Sequence, residues 1–218
     1  MYRILKFKRS SLLILLIISL FFFLVQCINN GADKKEALAG ENDPYQQYAG
    51  SVTCAKCHQD IYNSFIKTGH ATTSQIADAG NILGSFEKGK NEFHYNSALF
   101  VSMHQTDSGF YEVENSNGSD TLSGKMNIII GSGTRGQTYL SWKGDHLFQL
   151  PVSYLSSVHG WVNSPGDSNH IIFSRPVNAR CLECHTTYAD VIPSPLSERE
   201  EQFDQKQVVY GIGCEKCH

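Results

Sequence analysis

The pentapeptide CxxCH occurs three times in the chain, at 54–58, 181–185 and 214–218. In each copy two thiols three residues apart are followed at once by an imidazole, which is the attachment signal for a c-type haem. The thiols add to the two vinyl groups on one edge of the porphyrin, and the adjacent imidazole binds the iron. Because a fold must accommodate each of these large apolar groups, the three motifs constrain the architecture more than any other feature.

The motifs predict at least three covalently attached haems c. The predicted attachment residues are Cys54, Cys57, Cys181, Cys184, Cys214 and Cys217, and the predicted proximal iron ligands are His58, His185 and His218. The alternative is a zinc site, since the four cysteines of the second and third motifs have a plausible ribbon spacing. That alternative leaves the first cysteine pair and all three histidines without a role, so haem is favoured.

The N-terminal stretch predicts export. Four basic residues precede an uncharged apolar run of fourteen residues, from Leu12 to Val25. This pattern is typical of a secretory signal over residues 1–26, and the run is shorter than the roughly 20 residues of a membrane-spanning helix. An uncleaved membrane span is the weaker alternative. Export agrees with the haem prediction, because c-type haem is attached outside the cytoplasmic membrane.

Cys27 is the seventh cysteine, and only Gln26 separates it from the end of the apolar run. A bacterial lipoprotein is cleaved and lipidated at such a cysteine, although Gln26 stands where a lipobox usually has a small residue. The sequence therefore predicts lipidation at Cys27, and the alternative is a free cysteine within the signal. Residues 27–47 are polar and poor in large apolar side chains, which predicts a flexible tether to a membrane.

The charge balance argues against a nucleic-acid partner. Residues 1–26 contain four basic residues and no acidic one, so removing them changes the formal net charge from −3 to about −7. An acidic surface repels nucleic acid, and it favours a basic or neutral redox protein as the partner.

Residues 48–218 are predicted to form one α+β domain, a multihaem cytochrome c fold with short helices around the CxxCH motifs. Apolar spacing predicts a helix over 59–67, ending near Gly69. Residues 91–155 are rich in β-branched and aromatic side chains and predict a small antiparallel insert. The expected strands are 98–103, 109–114, 125–130, 137–142 and 146–150, with a turn at Lys143–Asp145. From Ser156 onward the chain is expected to be rich in loops.

Six histidines remain once the motifs have used three of the nine. They outnumber the methionines, so paired histidine ligation is favoured over histidine with methionine. His70, at the end of the predicted helix, is the first candidate for a distal iron ligand, and His159 is the second. The sequence leaves open which haem His70 reaches.

Residues Gly131–Gly136 have the form GxGxxG, which occurs in dinucleotide-binding proteins. The segment that follows is strand-like, whereas a nucleotide site requires a helix there. We therefore predict a tight turn and no nucleotide cofactor. Arg135 within it is a candidate partner for a haem propionate.

These residues resemble a known group. The first CxxCH with Tyr62 and His70-Ala71, the Gly131–Gly136 block, Leu150–Tyr154 and the two late motifs are similar to exported multihaem cytochromes of the c-552/4 type. The resemblance spans roughly residues 50–218 and implies that His70 is a distal ligand. Phe65 stands where the group often has tryptophan. The group also continues beyond its last CxxCH, so three haems are expected to be a minimum for a longer parent protein.

Three functions follow from these expectations. The leading one is electron transfer through closely placed haems. The alternative is an oxidoreductase that acts on a small nitrogen or sulfur compound at one haem with an open coordination position, with Arg135, Arg175 and Arg180 as candidate anion-binding residues. Nitrite reductases of the broad group often carry lysine after the second cysteine of a motif, and none of the three motifs has it. A haem-bearing sensor or scaffold module is the third possibility.

Overall fold

The computed structural model describes residues 48–166, 170–193 and 200–218. The predicted signal, Cys27 and the predicted tether lie outside these described residues. The helices of the described part are short: Ser51–Ala55 (α1), Gln59–Phe65 (α2), Ala179–Glu183 (α3) and the 3-10 helix Cys214–Lys216. None of them has the length and apolarity that crossing a bilayer requires.

Antiparallel strands are the main regular secondary structure of the described chain. Their bounds are Ser74–Ile76 (β1), Glu92–His94 (β2), Leu99–Thr106 (β3), Gly109–Ser116 (β4), Ser119–Lys125 (β5), Ile128–Ile130 (β6), Gly136–Lys143 (β7), His146–Leu155 (β8), Gly160–Asn163 (β9), Arg175–Pro176 (β10), Thr186–Ile192 (β11) and Gln202–Tyr210 (β12). An eight-stranded sheet runs β1-β6-β7-β8-β12-β11, with β9 and β10 also paired to β8. A second, four-stranded sheet runs β2-β3-β4-β5.

Tight turns explain the simple order of the smaller sheet. Strands β4 and β5 are joined at Asn117-Gly118, where both residues have positive φ (50° and 81°). Asn-Gly is the pair that tolerates this backbone best in a two-residue hairpin. The predicted turn at Lys143–Asp145 likewise joins β7 to β8, with Gly144 at φ 59°.

The main core lies between the two sheets. Val101 and Met103 from β3 pack with Tyr139, Leu150 and Val152 from β7 and β8. A second cluster occupies the other face of the large sheet. It contains Ile128, Leu140, Leu147, Val177, Leu182 and Phe203. Because successive residues of a strand point to opposite faces, a sheet that packs on both sides needs continuous apolar runs such as β6.

The α+β prediction holds in its coarse form, since the fold is mostly β-sheet with a few short helices. The predicted strand 125–130 is interrupted, because Lys125 ends a strand of the small sheet and Ile128 begins one of the large sheet. The expectation of a loop-rich chain after Ser156 is wrong for β9 to β12. The prolines there misled the prediction, since Pro176 lies on the short strand β10 and Pro193 directly follows β11.

Candidate haem attachment sites

Each CxxCH motif forms about one helical turn. The amide of His58 donates to the carbonyl of Cys54 at 3.0 Å, and the amide of His218 donates to Cys214 at 3.1 Å. In the second motif the amide of His185 donates to Leu182 at 3.0 Å. Residues three and four apart share one face of a helical turn, so this backbone presents both thiols and the imidazole together.

The side chains of helix α2 and its surroundings leave apolar surface uncovered. Helix α2 buries none of its residues, and Val52, Ile61 and Ile66 are 68%, 66% and 42% exposed. Exposed apolar side chains concentrated at one place mark a surface that a ligand or partner covers. The apolar plate of a porphyrin would cover such a surface, and Ile61 and Phe65 line one pocket with the cysteines of the third motif.

The first and third motifs lie against each other. The Glu215 carboxylate accepts hydrogen bonds from the amides of Ala49 and Gly50 at 2.6 and 2.8 Å, and the amide of Cys214 donates to Ser51 Oγ at 3.1 Å. Loss of solvent around the thiol, and then the nearby Cys214, raise the pKa of Cys54. Two attachment sites far apart in sequence are thus neighbours.

His70 lies at the third motif. A pocket of about 390 Å³ is lined by His70 together with Cys214, Cys217 and His218, and helix α2 forms another wall with Ile61, Ser64 and Phe65. The carbonyl of His70 accepts a hydrogen bond from the amide of Ile212 at 2.8 Å. The sequence left open which haem His70 reaches, and the fold brings it to the motif farthest from it in the chain.

Gly211 permits this close approach. Its φ is +69°, and a Cβ at this position would lie 2.3 Å from the carbonyl oxygen of Ala71. Only glycine combines this backbone with so short a contact. The segment that carries His70 therefore packs directly on the segment that carries the third motif.

The second motif has a pocket of its own, also of about 390 Å³. Cys181, Cys184 and His185 line it together with Ile130, Leu140 and Val177, and polar groups come from Thr138, Gln149 and Arg180. Among the described residues that line it, His185 is the only histidine, and methionine is absent. Leu182, only 2% exposed, anchors the motif in the core of the large sheet.

The ring of His185 is oriented by residues at the start of β1. Thr73 Oγ1 lies 2.9 Å from His185 Nδ1, and the hydroxyl of Ser74 donates to the carbonyl of His185 at 2.5 Å. With Nδ1 engaged, Nε2 is the nitrogen free to bind iron, which is the usual second-shell arrangement at a metal-bound histidine. Sequence reasoning missed Thr73, Ser74 and Glu215, because none of them belongs to a recognisable motif.

The zinc alternative does not agree with this geometry. The cysteines of the second and third motifs line separate pockets. Across the described ranges, no group of three or more histidine, cysteine and acidic side chains is arranged to hold a metal ion.

Other predicted site residues lie elsewhere. His159 occupies the turn between β8 and β9 with a φ of 50° and is exposed, outside the two motif pockets described above, so its assignment as an iron ligand stays a prediction. Gly131–Gly136 joins β6 to β7 as a hairpin connection, with a strand where a nucleotide site needs a helix. Arg175 donates a hydrogen bond to the carbonyl of Pro165.

Comparison with known proteins adds the family. A family model described as cytochrome c554 and c-prime matches residues 53–119 and 159–218, which together are more than half of the chain and contain all three motifs. No curated protein matches the chain. The crystal structure of the outer cell wall cytochrome OcwA aligns at 18% identity with a TM-score of 0.47, covering 78% of this chain. The chain spans 31% of that cytochrome. On the family match, the protein belongs to the cytochrome c554 and c-prime family and is a c-type cytochrome.

Proposed function

We propose that the protein is an exported electron carrier with three haems, one at each CxxCH motif. Haem attached in this way supplies reversible one-electron chemistry at iron. The observation that carries the proposal is the set of hydrogen bonds that joins the first motif to the third, from Glu215 to the amides of Ala49 and Gly50 and from the Cys214 amide to Ser51 Oγ. It places two attachment sites side by side, so electrons cross between them without a long intervening stretch of protein.

His70 supports the same function at the third motif. Because it shares a pocket with His218, we propose it as the second iron ligand there. Two histidine ligands close both axial positions of an iron and favour electron transfer over reaction with a substrate. Ile61 and Phe65 of helix α2 give the same pocket an apolar wall.

A second candidate function concerns the second motif. The described lining of its pocket offers no second histidine and no methionine as an iron ligand, and it offers Arg180, Gln149 and Thr138 as polar groups. A guanidinium beside two hydrogen-bonding side chains suits a small oxyanion. This arrangement supports an oxidoreductase acting on a nitrogen or sulfur oxyanion at that site.

Location and partners follow from the sequence. We propose that residues 1–26 direct export and that lipid on Cys27 anchors the protein to a bacterial membrane, on the periplasmic side or at the cell surface. The net charge of about −7 without the signal supports a basic or neutral redox protein as the partner. The same charge supports the absence of a nucleic-acid partner.

The number of haems is tested by absorbance of the pyridine haemochrome per chain. We expect three haems in the wild-type chain and two in C181A/C184A. A chain that binds zinc and carries no covalent haem would overturn the proposal.

The two candidate functions are separated by low-temperature electron paramagnetic resonance of the oxidised protein. An oxidoreductase with an open site at the second motif gives one high-spin centre, and that centre disappears in C181A/C184A. An entirely low-spin spectrum refutes the oxidoreductase and leaves the electron carrier.

A further inference from the structure

Five consecutive residues, His70 to Ser74, connect two of the haem sites. His70 lines the pocket of the third motif, while Thr73 and Ser74 bond to His185 of the second. The two contacts to His185 differ in kind. Ser74 holds the backbone of His185, whereas Thr73 reaches the imidazole ring itself.

Thr73 is held firmly in place. Its carbonyl accepts a hydrogen bond from the amide of Gly131 at 2.7 Å, and its own amide donates to His70 at 3.3 Å. The next residue, Ser74, is 1% exposed and accepts a hydrogen bond from the amide of Gly211 at 2.9 Å. These hydrogen bonds hold the backbone on both sides of Thr73, and so they fix where its hydroxyl meets the His185 ring.

Iron binding by His185 would decide the direction of its hydrogen bond with Thr73. An imidazole that binds iron through Nε2 keeps its proton on Nδ1, and this N–H donates to Thr73 Oγ1. Such a second-shell hydrogen bond fixes the tautomer and raises the basicity of the ligand. A more basic ligand stabilises ferric over ferrous iron and so lowers the reduction potential.

The other proximal histidines differ from His185. His58 and His218 are exposed, and neither ring has a hydrogen bond to a side chain of the described residues, whereas His185 is half-buried. Of the three predicted proximal ligands, His185 is therefore the one whose ring is held by a hydrogen bond with a described side chain.

We propose that Thr73 is the positioning residue of the second haem site, holding the His185 ring and lowering the potential of the haem attached there. The proposal rests on haem attachment at the second motif. Because His70 and Thr73 are three residues apart, one short segment contacts both the second and the third site.

The test is a spectroelectrochemical titration of the holoprotein carrying T73V, which keeps the shape of threonine and removes the hydroxyl. We expect the reduction potential of one of the three haems to become more positive by up to about 59 mV. For one electron this is a tenfold change in the ferric-to-ferrous ratio of that haem. T73S retains the acceptor oxygen and should restore the wild-type potential. T72V is the matched control, since Thr72 Oγ1 donates to Thr68 O on the same segment, and it should change no component.

Two results would overturn the proposal: unchanged potentials in T73V, or equal shifts in T73V and T73S. The T73V shift should also vanish in C181A/C184A, and its persistence there would assign it to another site. If T73V does not fold, nuclear magnetic resonance of the reduced wild-type protein tests the proposal instead. We expect slow exchange of one ligand Nδ1–H, and rapid exchange at all three would refute the assignment. A haem count below three would instead refute the proposed function.

Discussion

A buried carboxyl group gives the core of this protein a pH dependence that one substitution should remove. Glu112 on strand β4 is fully buried, and its Oε2 accepts a single hydrogen bond from the amide of Val152 at 2.8 Å. Among the described residues, none forms a hydrogen bond with its Oε1. Loss of solvent raises the pKa of Glu112 well above its ordinary 4.5, and the Val152 hydrogen bond opposes this only in part.

The magnitude follows from proton linkage. Between pH 4.5 and the raised pKa, the folded chain keeps the Glu112 proton while the unfolded chain has lost it. Unfolding then releases a proton, so the free energy of unfolding falls by about 1.4 kcal/mol for each unit that the pH rises. The stabilisation is complete below pH 4.5 and is lost as the pH rises through the folded pKa. From pH 5 up to the folded pKa, E112Q should therefore gain stability relative to the wild type by about 1.4 kcal/mol for each unit of pH.

The assay is urea unfolding of the holoprotein followed by far-ultraviolet circular dichroism from pH 5 to pH 8. The difference between E112Q and the wild type isolates this residue, because every other titrating group is common to both. E112L should also lose the slope, but it leaves the Val152 amide unpaired and should cost about 1–3 kcal/mol at every pH. Parallel pH profiles for the wild type and E112Q would refute the reasoning.

Two further predictions test the haem sites. Replacing His70 with alanine should convert one low-spin haem to high spin in the electron paramagnetic resonance spectrum. The control H94A alters an exposed ring stacked on Phe100 and should leave the spectrum unchanged. An unchanged spectrum in H70A would show that His70 is not an iron ligand. G211A should lower the free energy of unfolding by more than G118A, as measured by urea unfolding, because both glycines have positive φ but only Gly211 meets a carbonyl at 2.3 Å. The strain common to both is about 1–3 kcal/mol, and equal losses would show that the contact is unimportant.

Local pattern predicted much of the sheet. Strands β3, β4, β7 and β8 were expected close to where they begin, because β-branched and aromatic residues alternate there between clear turn signals. The division into two sheets was not predicted. Met126 bonds through its amide to Phe110 in the small sheet, and Asn127 bonds to Leu140 in the large one. A continuous apolar run does not reveal that its hydrogen-bond partners change between neighbouring residues.

Helix α2 is a second case in which the sequence pattern did not reveal what an element packs against. Its apolar spacing predicted a helix over 59–67, and the helix forms over Gln59–Phe65 but buries no residue against protein. The spacing indicated the helix correctly, but the described residues leave all of its side chains at least partly exposed. Periodicity indicates that a face needs covering, and it cannot distinguish a neighbouring strand from a porphyrin.

The sequence by itself determined the covalent chemistry, since a CxxCH turn presents two thiols and an imidazole without help from distant residues. Only the tertiary structure decided how the sites are grouped. It joins the first motif to the third through Glu215 and Ser51, brings His70 to the third, and sets Thr73 on His185. These contacts join residues 112 to 166 positions apart or depend on the register of several strands. The physical reason is that a local pattern specifies what a segment can bind, whereas sheet pairing decides what lies beside it.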